Sequence, residues 1–241
     1  MQGELPKKPA MARPAKQVTA ANPDRRSQIA AVAADLFAEF GYEATTVRQI
    51  ADRVGMLAGS LYNHFATKDD MLHAIMRQRM AQFEQSNTQI ANLPVDAEHR
   101  LLANAIMRIH DYVRFSQFHT ILLRDNYFFQ RHPDFTYIVA AKSRIRLSQE
   151  SVLRQGMEAG LFRPDMDCYL MIGTISRMLS GVSDWYRSIE AFSSNKPAPY
   201  TLDVLVDFHF DCLLRLVRLP ARMAEPVPRA ECEQLIANML I

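Results

Sequence analysis

The sequence predicts an all-α fold, with three short helices at the N-terminus and a longer helical bundle after them. Three observations predict it. Apolar residues recur every three or four positions through most of the chain, the period of a helix with one buried face. Only eight glycines punctuate 241 residues, which suits long helices better than many strands and turns. The stretch 46–65, TVRQIADRVGMLAGSLYNHF, reads as two short helices about a tight turn.

The elements follow in order. Residues 1–21 are rich in Pro, Ala and Lys and are expected to be disordered, either as a basic arm or as a solvated tail. Asn22 and Pro23 open the first helix, whose stripe is Ile29, Val32, Ala33, Leu36, Phe37 and Phe40, and Gly41 closes it. Thr46 with Gln49 is a capping box, and Val47, Ile50, Ala51 and Val54 form the inner face of the second helix. Gly55 turns the chain. Leu57, Leu61 and Phe65 then recur every four residues and are expected to pack inward. Thr67 caps a fourth helix reaching about Thr88, with Asp70 in its first turn. Further helices are expected over 97–115, 119–131, 133–159, 166–189 and 201–219, and an amphipathic one over 230–240. The breaks fall at Pro94, at His132-Pro133, at the loop 160–165 and at 193–199.

Composition narrows the chemistry. The net charge is only +2, but residues 1–26 carry +4 and the remainder −2. Bulk coating of nucleic acid is thereby excluded, and any DNA contact must be focused on a small surface. Cys168, Cys212 and Cys232 are far apart and fit neither a disulfide framework nor a metal site, so a reducing cytoplasm is the expected setting. No apolar run reaches membrane-spanning length, and no membrane partner is expected. None of the seven histidines forms a ligand pair at helical spacing, and P-loop, GxGxxG and GxSxG patterns are missing. No catalytic residue, metal or cofactor is assigned.

Between Arg25 and Met76 the chain carries Phe37…Gly41, Thr45-Thr46, Ile50-Ala51, Gly55, Leu61-Tyr62-Asn63-His64-Phe65 and Lys68-Asp69. On these residues the segment resembles the DNA-binding domain of the TetR family of bacterial transcriptional regulators. One departure is Leu57, which stands where the family usually has a small polar cap. The resemblance implies phosphate contacts from Thr46, Tyr62, His64 and Lys68. A helix N-terminus at Thr46 and donors at the other three suit that role physically, although Tyr62 also suits a packing aromatic. Base reading then falls to Ala58, Gly59, Ser60 and Asn63, with Arg48 able to reach a guanine edge. The expected units are an arm over 1–23, a DNA-binding domain over 24–80, and an effector-binding and dimerisation domain over 81–241.

The second half carries Asp134-Phe135-x-Tyr137, the run from Gln155 to Asp165, and Trp185-Tyr186. In these it is similar to a TetR subgroup that represses fatty-acid or steroid degradation genes and responds to acyl-CoA thioesters. The similarity implies a homodimeric repressor of a pseudo-palindromic DNA operator, released by an apolar effector. Met76, Met80, Phe83, Phe115, Phe118 and Tyr127 are the expected apolar lining, with Arg144 and Arg177 near phosphates. Arg177 stands among apolar neighbours, which implies a ligand contact or an intersubunit ion pair. The helices over 166–189 and 201–219, with Leu213 at the seam, are expected to form the dimer. An activator, a ligand-independent DNA-binding protein and a helical acyl-CoA-handling enzyme are the alternatives.

Overall fold

The computed structural model describes residues 23–192 and 200–239. Residues 1–22 of the arm expected over 1–23, the expected loop over 193–199 and the side chains of Trp185 and Tyr186 lie outside the described residues. The described residues form helices and contain no strand.

The first three helices are α1 (Pro23–Phe40), α2 (Val47–Val54) and α3 (Ala58–Leu61). Thr46 Oγ1 accepts from Gln49 N at 3.2 Å, and Gln49 Oε1 accepts from Thr46 N at 2.7 Å, completing the capping box. Gly55, at φ +73°, ends α2, and Met56 N reaches back to Ala51 O at 3.0 Å. Ile50, Ala51, Leu61 and Phe65 are buried against α1 residues such as Ile29, Ala33 and Phe37. Leu57 corrects the expected packing: it is 80% exposed at the N-cap of α3, where its side chain makes no cap bond. The regular helix is also shorter than expected, and single hydrogen-bonded turns carry the chain from Leu61 to Phe65.

Helix α4 (Lys68–Ala91) starts at a second capping box, Thr67 with Asp70, and runs without interruption into the second half. There it packs against α5 (Ala97–Arg114) and α8 (Thr136–Glu158). The single aromatic helix expected over 119–131 is two helices, α6 (Ser116–Arg124) and α7 (Asn126–Arg131), because the chain leaves helical geometry at Asp125. A 3-10 turn, Pro133–Phe135, leads into α8. At the other end of α8, Gly156 lies directly under the Phe162 ring, so a Cβ there would fall 2.1 Å from a ring carbon.

Helices α9 (Cys168–Phe192) and α10 (Leu202–Val217) follow, and α11 (Arg229–Met239) folds back onto α5. The return is fixed by a buried ion pair. Arg218 donates to Glu98 Oε1 at 2.6 Å and Oε2 at 2.9 Å, and both residues are 4% exposed. The remaining Arg218 donors reach Glu225 O at 2.8 Å and Pro226 O at 3.1 Å.

Candidate DNA-binding and effector sites

The outer surface of α2 and α3 carries the residues singled out for DNA. Thr46, Arg48, Gly59, Tyr62 and Asn63 are exposed, while Ala58, Ser60 and His64 are half-buried. Arg48 is loosely held, with Asp52 at 4.0 Å beside it, and can reach outward. Gly59 has ordinary backbone geometry, and a Cβ placed on it would have nothing within 4 Å, so the fold itself makes no demand for glycine there. A bare backbone does allow another molecule to approach closely.

Two arginines that the sequence shows only as charge hold this surface in place. Arg25 donates to Val54 O at 3.3 Å and Arg26 to His64 O at 2.6 Å, so α1 caps the end of α2 and the turn after α3. The Arg26 guanidinium also lies 4.2 Å from the Phe65 ring centroid. Lys68 differs from expectation. Its Nζ donates to Tyr42 O at 2.8 Å, Thr45 O at 3.0 Å and Glu43 O at 3.4 Å. The ammonium group expected on a phosphate is committed to the loop between α1 and α2. Burial pushes its pKa below the ordinary lysine value, against the pull of Asp69, Glu43 and Asp125.

In the second half the expected lining residues do not form one pocket. Met76, Met80, Phe83 and Phe118 are buried core, and Phe115 is half-buried beneath the Arg79 guanidinium at 3.4 Å. Tyr127 is 66% exposed on α7, which turns Phe129 inward instead. Arg144 is exposed and engaged by Glu84, to whose Oε2 it donates at 2.9 Å. Arg177 is on the exposed side of α9, because Ile172, Ile175, Leu179 and Val182 take the buried side. It borders an open polar cleft of about 630 Å³ with Glu39 of α1, Arg124 of α6 and Ser180 of α9. Lys142 is near enough for Arg177 to add to the desolvation that lowers its pKa.

Helices α4, α5, α8 and α9 enclose a small cavity among the described residues. It lies further along α4 than the Met and Phe positions, between Ile90, Leu101, Val152, Ile172 and Leu179. Its volume is about 10 Å³, room for about one water molecule. Its polar end is a cluster of buried amides. Asn104 donates to Asn87 Oδ1 at 2.9 Å, and Gln149 donates to the same oxygen at 2.9 Å and to Asn104 Oδ1 at 3.2 Å. Asn87 in turn donates to Phe83 O at 2.7 Å. Behind the amides is Arg108, 4% exposed, which donates to Tyr112 OH at 2.5 Å, Ser176 Oγ at 3.3 Å and Gln149 Oε1 at 3.4 Å. None of these polar residues is among those expected from the sequence. Their signal is nonetheless present there: Leu101, Asn104, Ala105, Arg108 and Tyr112 share the inward stripe of α5.

Comparisons with known proteins agree with this geometry. The profile of bacterial regulatory proteins of the tetR family matches residues 29–75. The HTH-type transcriptional repressor KstR2 of Mycobacterium tuberculosis is 34% identical over 166 residues, 68% of this chain and 82% of that one. Its Rhodococcus jostii counterpart is 30% identical over 82% of this chain and 97% of its own length. The solved structure of ketosteroid transcriptional regulator KstR2 of Mycobacterium tuberculosis superposes with a TM-score of 0.73, covering 84% of this chain and all of that one at 28% identity. The fold is shared by AibR, solved in complex with isovaleryl coenzyme A and operator DNA, with a TM-score of 0.65 over 80% of this chain and 97% of that one at 24% identity. The chain belongs to the TetR family of bacterial regulatory proteins, and it is a helix-turn-helix transcriptional repressor rather than an enzyme.

Proposed function

We propose that the protein binds a pseudo-palindromic operator as a homodimer and is released from it by a small apolar effector, an acyl-CoA thioester. The observation that carries this reading is the course of α4. Its first turn is locked to the loop before α2 by Lys68, and its last turn supplies Ile90 and Ala91 to the cavity wall. One rigid helix of 24 residues, about 36 Å long, therefore spans both places. The units meet within it, residues 24–80 binding DNA and 81–241 binding effector and partner subunit.

On DNA, the α2 N-terminus at Thr46 and the side chains of Tyr62 and His64 take phosphates. Arg48 and the α3 surface of Ala58, Gly59, Ser60 and Asn63 face base edges. An acyl chain enters the cavity by separating α4 from α9, since the closed volume is far too small for it. Arg177 and Arg124, in the separate open cleft between α1, α6 and α9, suit a phosphate-bearing head. The isovaleryl coenzyme A bound by AibR is one instance of this ligand chemistry on the same fold.

The test is release of labelled operator by acyl-CoAs of increasing chain length at fixed salt. Release is expected within one range of lengths. An operator complex that survives every length removes acyl-CoA as the effector class.

A further inference from the structure

We infer that the effector carries a carboxylate on its buried, apolar portion and that Arg108 receives it. This rests on the reading of the cavity as the effector site, and it adds the chemical class of the group bound there.

The argument begins with charge. An arginine side chain stays charged inside a folded protein. Buried charges are ordinarily paired, because burial strips them of water. Arg108 is 4% exposed, yet among the described residues its hydrogen bonds go to a phenol, a hydroxyl and an amide, and its buried Nε–H has no acceptor. The nearby described carboxylates are committed elsewhere. Asp111 holds Arg79 and His119, each at 2.7 Å, and Glu150 holds Arg146 at 2.6 Å with Arg154 at 4.0 Å.

The location matches a ligand. Asn104, one turn before Arg108 on α5, lines the cavity, and so does Gln149, to which Arg108 donates. The site therefore has apolar walls and two cations of different kind: Arg100 lines it but is half-exposed and donates to Ala91 O and Asp96 O, whereas Arg108 is buried and is reached through the amide side chains. A neutral carbonyl could accept from the Nε–H but would leave the charge uncompensated. A carboxylate supplies both the acceptor and the charge. It can come from a free acid or from the far end of an acyl-CoA chain.

Two matched pairs test this on the full-length protein, by calorimetric titration at fixed pH and salt. One pair is decanoate and decan-1-ol, and the other is octanedioyl-CoA and octanoyl-CoA. In at least one pair the carboxylate member is expected to bind tenfold or more tightly. A preference in the first pair assigns a free acid, and one in the second assigns an acyl-CoA with a terminal carboxylate. Arg108→Met should cut the preference below twofold while leaving the neutral member's affinity unchanged. Arg108→Lys, which keeps the charge, should retain part of it and serves if the Met variant does not fold. Equal binding within both pairs, no binding by any of the four, or a preference that survives in Arg108→Met overturns the inference. Failure of the parent reading looks different: both CoA thioesters would leave labelled operator bound.

Discussion

Three backbone carbonyls surround the Lys68 ammonium group, and the Tyr42 ring lies 4.2 Å from it. Removing that group leaves Tyr42 O and Thr45 O without their donor and frees the loop that positions α2. Lys68→Ala should therefore lower stability by about 1–3 kcal/mol. It should leave the salt dependence of operator binding nearly unchanged, whereas loss of a phosphate contact would reduce the slope by about one unit. Chemical denaturation and binding at three salt concentrations separate the two; a reduced slope at wild-type stability returns Lys68 to the phosphates. The residue type is legible in the sequence, but the direction of its side chain is not, because a long flexible stem reaches inward and outward equally well. Arg177 shows the same limit on a helix. It stands two residues from the buried Ile175, about 200° around the axis, so apolar neighbours in sequence are not neighbours in space. Leu57 departs for a different reason: the four-residue rhythm holds for Leu61 and Phe65, but Leu57 sits before the helix begins.

Helices whose ends are chemically marked are legible nearly to the residue. Thr46, Gly55 and Thr67 fix their boundaries through side-chain caps or a left-handed backbone. The α6–α7 break carries no Gly or Pro, and its capping residue Asp125 makes no side-chain cap bond, so periodicity alone runs through it. The join of α4, α5 and α6 depends on His119, which is 1% exposed and 2.7 Å from Asp111, itself bound to Arg79. Burial lowers the His119 pKa more than Asp111 raises it, and Arg108 and Arg79 lower it further. The unfolded chain thus takes up the proton more readily than the folded one. Stability is full above about pH 6.5 and falls as the pH drops below that value toward the folded pKa. His73, also lowered by burial, adds to the same trend. His119→Gln should flatten the slope of melting temperature between pH 7 and pH 5.5; an identical slope in wild type and variant would show that His119 contributes none of it. At the end of α8, Gly156→Ala should cost about 1–3 kcal/mol, because Phe162 is fully buried and must move to admit the methyl group. Wild-type stability in that variant would mean that the Phe162 ring is held less tightly than its burial implies.

At the scale of the whole molecule, the order of the helices is legible and the lining of the cavity is not. Helical period places residues on a face, but which of several inward faces meet around a cavity depends on crossing angles that no single helix encodes. The dimer seam raises the same problem. Leu213 is fully buried within its own subunit, so a charge there would disrupt the fold and could not report on association. The outward face of α10 is a better candidate. Val204 is 46% exposed and Phe208 61%, one turn apart on α10. On α9, Leu170 is 66% exposed. A large aromatic left in water on a bundle helix is favourable to cover, and a second copy presenting the same face covers both at once. Phe208→Glu places two carboxylates across that axis and removes the apolar contact, while the α10 inner face of Leu205, Phe210 and Leu214 stays intact. The variant should remain helical with an unchanged melting profile at low concentration, sediment as a monomer, and lose operator binding by tenfold or more. The loss follows from geometry: two recognition helices reach half-sites about 34–36 Å apart only while the subunits are joined. A Phe208→Glu protein that still sediments as a dimer and binds operator normally would move the seam away from this face of α10.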